Sequence, residues 1–161
     1  MRTQGRGIGS CCVLVIVMST LALSGQTTTS VFAGTWKLNT AKSTYDPGPP
    51  PRSMTVRVEG RENGEAVVRE QVDSQGKTTR AEFAATFDGK EYPIEGDPNR
   101  DSVSNTRIDE YSFESTFKKA GKVVVVTRTV VSRDGKVRTA TTTGTNARGQ
   151  QIHNVVVFDR Q

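Results

Sequence analysis

Arg80-Ala81-Glu82-Phe83-Ala84-Ala85-Thr86-Phe87-Asp88-Gly89-Lys90 decides how this chain folds. Ala81, Phe83, Ala85 and Phe87 alternate with Arg80, Glu82, Ala84 and Thr86, and a period of two marks a half-buried strand. Asp88-Gly89 ends the run. A two-residue hairpin loop needs positive φ, which Gly enters freely and Asp or Asn tolerates. The same punctuation recurs at Asn63-Gly64, Gln75-Gly76, Ala120-Gly121, Asp134-Gly135 and Arg148-Gly149, with Lys, Glu or Gln after each glycine. Such turns every 12 to 14 residues, with Val, Thr, Phe and Tyr between them, predict one antiparallel up-and-down meander.

Working outward, the first strand is expected over Val31 to Leu38. Asn39 to Arg52 reads as a loop, because Pro49-Pro50-Pro51 cannot donate backbone hydrogen bonds and favours an extended connector. Met54, Val56 and Val58 share one face of the next strand. Tyr111, Phe113 and Phe117 share a face opposite Ser112, Glu114, Thr116 and Lys118. Val123 to Val126, extended to Val131, is continuous enough to predict a central strand covered on both faces at one end. Val137 to Thr145 is a wetter, threonine-rich strand, and Gln150 to Arg160 closes the chain. Gly96-Asp97-Pro98-Asn99 reads as a turn and Ser102 to Ile108 as a short strand. The count is nine or ten strands with no helix beyond a turn or two. The fold class is all-β: an antiparallel meander closing into a barrel or half-barrel.

The first 25 residues read as an address. Arg2 and Arg6 precede the apolar run Val13 to Leu23, and Ala22-Leu23-Ser24 offers a small-residue cleavage site. The run is shorter than the roughly 20 apolar residues of a membrane span. Cys11 and Cys12 precede it, which argues against a lipid-modified cysteine and places both in the leader. The expectation is a signal peptide over 1–25, a single domain over 26–161, and a periplasmic or extracellular destination without an integral span. Removing the leader leaves 20 basic residues against 17 acidic, alternating in sign along the chain. That is a solvated surface rather than a nucleic-acid stripe. Apolar residues are only 34% of the chain, too few for a thick two-layer core, so a curled sheet with one dry and one wet face fits better.

Phe32-Ala33-Gly34-Thr35-Trp36-Lys37-Leu38 resembles the G-x-W strand that opens the lipocalins and cytosolic fatty-acid-binding proteins, the calycin barrels. Val155-Val156-Val157-Phe158-Asp159-Arg160 looks like the last strand of the fatty-acid-binding branch. Gly34 to Asn39 with Ala41-Lys42-Ser43, and Asp88 to Pro93, are similar to small exported bacterial proteins with lipocalin-like domains. The resemblance implies barrel closure by Gly34, Trp36 and Arg160, with the basic side chain over the indole. It also implies a small apolar ligand inside. Val156 and Phe158 stand where that branch holds a carboxylate with Arg and Tyr, and the proline loop stands where it has a helical lid. A ligand is therefore neutral or anchored by other groups.

Candidate ligand-lining residues are Phe83, Tyr111, Phe113, Arg128, Asn154 and Phe158. Together with Phe87, Tyr92 and Phe117, these aromatics suit a packed core better than a pocket, and a one-residue slip inverts every facing. His153 is the sole histidine, no G-x-S-x-G elbow exists, and no ligand cluster suits zinc. Asp97, Asn99, Asp101 and Glu95 form the densest oxygen cluster, read as a solvated turn rather than a calcium loop. No catalytic residue, metal or cofactor is expected. Three classes stay open: an exported ligand-binding barrel, an envelope interaction protein with a filled barrel, and, last, a hydrolase or isomerase. If the leader is read correctly, the intact mass of the exported protein begins within a few residues of Gly25. A mature protein retaining Cys11 contradicts it.

Overall fold

The computed structural model describes residues 30–146 and 149–161. The expected leader and Arg148 of the last expected turn lie outside the described residues. The strands are β1 (Gly34–Leu38), β2 (Ser53–Arg61), β3 (Gly64–Val72), β4 (Thr78–Thr86), β5 (Asp88–Pro93), β6 (Ser102–Arg107), β7 (Ser112–Lys119), β8 (Lys122–Val131), β9 (Val137–Thr145) and β10 (Gln151–Arg160). The one helical element among the described residues is a 3-10 turn, Thr40–Lys42, capped by Asn39. All ten strands join one antiparallel sheet in the order β4-β3-β2-β1-β10-β9-β8-β7-β6-β5.

Two features of this order differ from a simple run of hairpins. β10 pairs with β1, Trp36 facing Arg160, so the chain ends meet. β4 and β5, expected to pair across Asp88-Gly89, are instead the two edges of the sheet. Phe87 N is taken by Asn63 O, and Asp88 Oδ1 accepts from Lys90 N, so the turn exists without a ladder. An isolated bridge joins the edges, with Glu82 and Glu95 exchanging backbone bonds of 3.0 and 2.9 Å. The sheet thus curls into a nearly closed barrel.

Two further expectations are corrected. The first strand begins at Gly34, not Val31. Ala33 N donates to Ser30 O, and the resulting turn tucks Phe32 fully inside. β8 is not covered on both faces: Val123 and Val130 point outward and are 57% and 39% exposed. Its continuous valines reflect a bulge instead. Phe117 faces Val125 and Lys118 faces Val123, which leaves Val124 as the extra residue. Gly144 lies across from this segment, opposite Val125, where an added Cβ would collide with Val124 O.

The lower end of the barrel is its packed end. Trp36 and Phe32 are fully buried, and Trp36 Nε1 donates to Phe32 O at 2.9 Å. Phe32, Phe87 and Phe113 meet at centroid distances of 4.9 to 5.9 Å. The Arg160 guanidinium lies 4.2 Å from the Trp36 ring centre and donates to the carbonyls of Val31, Ala33 and Gly135. Gly34 is obligatory here, because its φ is +132° and a Cβ would sit 2.6 Å from Arg160 Nη1.

The upper end is an open mouth. After the 3-10 turn the chain rejoins β10, Thr44 bridging Val155 and Asp46 O accepting from His153 N. The proline segment then crosses to β2. Opposite it, the 94–101 loop folds over the gap between β4 and β5. Asp97, expected to be a solvated turn residue, has a side chain only 1% exposed. Its Oδ2 accepts from Arg69 Nη2 on β3 and from Arg100 Nε, both at 2.8 Å. Burial alone would raise the Asp97 carboxyl, but Arg100 and Arg69 outweigh it and hold it below the usual range. Burial and Arg100 bring Arg69 down to about 10, against the pull of Asp97, so it stays charged near neutrality.

Two predictions follow from the two ends. Trp36→Ala should cost about 3–5 kcal/mol, as for other buried aromatics. Arg160→Met, which keeps the stem but loses the carbonyl bonds, should cost about 1.5–3 kcal/mol. Unchanged urea midpoints for both would contradict the closure. At the mouth, Asp97→Asn should cost near the lower end of the roughly 3–5 kcal/mol typical of a buried pair losing one partner. Because the folded pKa of Asp97 is depressed, its contribution is complete above about pH 4 and is lost as pH falls through the lowered value. The gap between wild type and Asp97→Asn in urea unfolding should therefore narrow on acidification; a gap independent of pH contradicts the pairing.

Candidate functional site

The barrel encloses a cavity of about 860 Å³ that reaches from the packed end to the mouth. Small-molecule pockets span roughly 300–1,000 Å³. The space exists because many inward positions carry short side chains: Ala81 on β4, Thr127 and Thr129 on β8, Ala140 and Thr142 on β9. Barrels of this size can be filled by larger residues at such positions.

Of the six candidate lining residues, Phe83, Phe113, Asn154 and Phe158 border the cavity, and Tyr111 and Arg128 do not. Arg128 is exposed because Thr127 and Thr129 take the inward pleat positions of β8. It lies near enough to Asp109 to help hold that carboxyl below its usual range, after the hydrogen bonds from Ser112 and Tyr111. Tyr111 precedes β7: Asp109 Oδ1 accepts from Tyr111 N and turns the chain before the pleat begins. Asn154 faces inward, and its Oδ1 accepts from Asp46 N at 3.0 Å, so it pins the proline loop. Phe113 and Phe117 serve both as core and as cavity wall. Val156 and Phe158 are buried and apolar, which leaves the last strand without an anion-holding pair.

Apart from Asn154, Asp97 and Asn99, the polar part of the cavity comes from residues that the sequence reading did not single out. The inner face of β3 carries Glu65, Val67, Arg69 and Gln71. The β2–β3 register explains why. Met54 lies opposite Gln71 and Val56 opposite Arg69, and directly opposed residues share a face. With Met54 and Val56 read as inward, a hairpin turn at Asn63 puts Arg69 and Gln71 inward too. The same logic applies to β9: Val131, 1% exposed, lies opposite Arg138. Thr127 and Thr142 share a hydroxyl bond of 2.8 Å across β8 and β9.

Charges therefore sit at two levels. At the mouth, Arg69 and Arg100 clasp Asp97, and the Arg100 guanidinium stacks 4.5 Å from the Phe117 ring centre. Tyr45, on the proline side, lines the cavity, and burial pushes its hydroxyl up to about 12 despite Arg69. Near the packed end lie Glu65, 2% exposed, and Arg138, 8% exposed. Burial pushes the Glu65 carboxyl up, and the charges of Arg138 and Arg107 oppose the shift. Burial pushes Arg138 down, opposed by Glu65. The Arg138 guanidinium lies 5.8 Å from the Phe113 ring centre. His153 is exposed on the outer face of β10, away from these groups. Among the described residues no group of His, Cys, Asp and Glu is arranged to hold a metal ion, and no helix is long and apolar enough to cross a membrane. Chemically, the arrangement is a partly apolar chamber with polar groups at its floor and mouth.

No known family profile matches this chain, and no curated protein sequence does. Among solved structures, it is similar to the zebrafish ileal bile acid-binding protein complexed with cholic acid. The match covers 82% of this chain and 100% of that chain, with a TM-score of 0.51 at 14% identity. The likeness is one of fold. Ten antiparallel strands in an up-and-down order, curled to near closure, make this a calycin-like barrel.

Proposed function

We propose that this chain is an exported, non-enzymatic carrier that holds one small, mostly apolar molecule inside its barrel. The observation that carries the reading is the cavity of about 860 Å³, bordered by Val56, Val67, Phe83, Phe113, Val156 and Phe158. An interaction protein with a side-chain-filled barrel would leave far less than the roughly 300 Å³ at which ligand pockets begin. Among the described residues the exposed large apolar side chains are only Ile108, Val123 and Val130, too few for a broad docking patch. Support for a binding role also comes from the solved structure of similar fold, which is a bile acid-binding protein. The leader pattern of residues 1–25 supports export.

A neutral, apolar fluorescent amine such as N-phenyl-1-naphthylamine tests this. Wild-type protein should bind it saturably at one site, with a Kd of about 1–10 μM, and shift its emission to the blue. Ala140→Phe, which adds a ring to the cavity wall, should weaken binding at least about tenfold without lowering the unfolding midpoint by more than a few degrees. Absence of saturable binding to the wild type, or equal binding by both proteins, contradicts an internal site.

A further inference from the structure

The floor of the cavity holds two buried polar groups that the protein itself does not pair. Among the described residues, Glu65 Oε2 and Arg138 Nη1 have no hydrogen-bond partner, although both side chains border the cavity. They come from β3 and β9, with β2, β1 and β10 between them in the sheet order, and no hydrogen bond joins the two atoms. Each nevertheless feels the other's charge. Buried polar atoms in folded proteins are nearly always bonded, so a pair of this kind facing a chamber calls for an occupant. One is an acceptor and the other a donor.

We propose that this floor receives the polar end of the ligand, and that this end is a neutral group carrying both a hydrogen-bond donor and an acceptor, a primary amide being the simplest case. The inference rests on the carrier reading and adds the ligand's chemistry and its direction of entry. An amide N–H donates to Glu65 while its carbonyl accepts from Arg138. A carboxylate satisfies Arg138 but offers no hydrogen-bond donor to Glu65 Oε2. An ammonium satisfies Glu65 but meets Arg138, with Arg107 adding positive charge nearby. Phe113 beneath Arg138, and Val67 and Phe158 around the floor, leave little water to screen such a mismatch. The ligand's apolar body then runs up the Val56, Val156 and Phe83 walls toward the mouth.

Decanamide, decanoic acid and decylamine, each titrated at pH 7 by displacement of the naphthylamine probe, separate the cases. In the wild type the amide should bind at least about tenfold more tightly than either charged probe. Glu65→Gln should raise decanoic acid affinity at least about tenfold, and Arg138→Gln should do the same for decylamine. The wild-type order needs no variant, so it stands even if a variant fails to fold. Acid binding as tight as amide in the wild type overturns the inference. So does acid affinity indifferent to Glu65→Gln in a folded variant, which would place the head group elsewhere. Equal binding of all three probes overturns the inference and leaves the carrier reading intact. No binding of the naphthylamine or any alkyl probe overturns both.

Discussion

Arg160 touches two segments far from it and from each other in sequence, Val31–Trp36 and Gly135. Its guanidinium bonds to the carbonyls of Val31 and Ala33 before β1 and of Gly135 between β8 and β9, and it stacks on Trp36. A cation held over an indole contributes roughly 0.5–2 kcal/mol, and its hydrogen bonds add to that. More important is what the contact constrains. It fixes β10 against β1, so the last strand becomes the neighbour of the first and the meander must roll. It also holds the Phe32 turn beneath the barrel, which closes the lower end.

The open chamber follows from that roll combined with small inner side chains. Once the lower end is packed by Phe32, Trp36, Phe87 and Phe113, the remaining inward positions of β8 and β9 are mostly Thr and Ala. They cannot meet across the barrel axis. The remaining seam, between β4 and β5, is held by one bridge at Glu82 and Glu95 and by the clasp of Asp97 with Arg69 and Arg100. The seam and the proline loop thus flank the mouth, while the lower end is packed with buried aromatics.

The fold was legible because its signals are local. Alternation in β2, β4 and β7 and the turn residues at Asn63, Gly76, Gly121 and Gly135 each act within a few residues. The Gly34, Trp36 and Arg160 cluster was suggested by resemblance, and the structure brings all three together. What was not legible depends on register. β3 shows apolar Ala66 and Val68 on its outer face and Glu65 and Arg69 within, the reverse of what hydropathy alone suggests. Only pairing with β2, counted from the Asn63 turn, reveals it. Arg128 was misplaced for the same reason, by one residue along β8. Asp97 was read as a solvated turn residue because its partners lie 28 residues back on β3 and three residues ahead. The separation of β4 from β5 is likewise a property of the closed circuit, not of Asp88-Gly89 itself.

The central claim is that the barrel carries a small molecule. Native mass spectrometry of the protein, purified from its own host without lipid-stripping solvents, addresses it most directly. The account predicts a population heavier than the bare polypeptide by one discrete organic mass. That mass should be released on gentle collisional activation and recovered in an organic extract. A bare polypeptide mass at the gentlest activation, with no matching molecule in the extract and no reloading by apolar compounds, would contradict it.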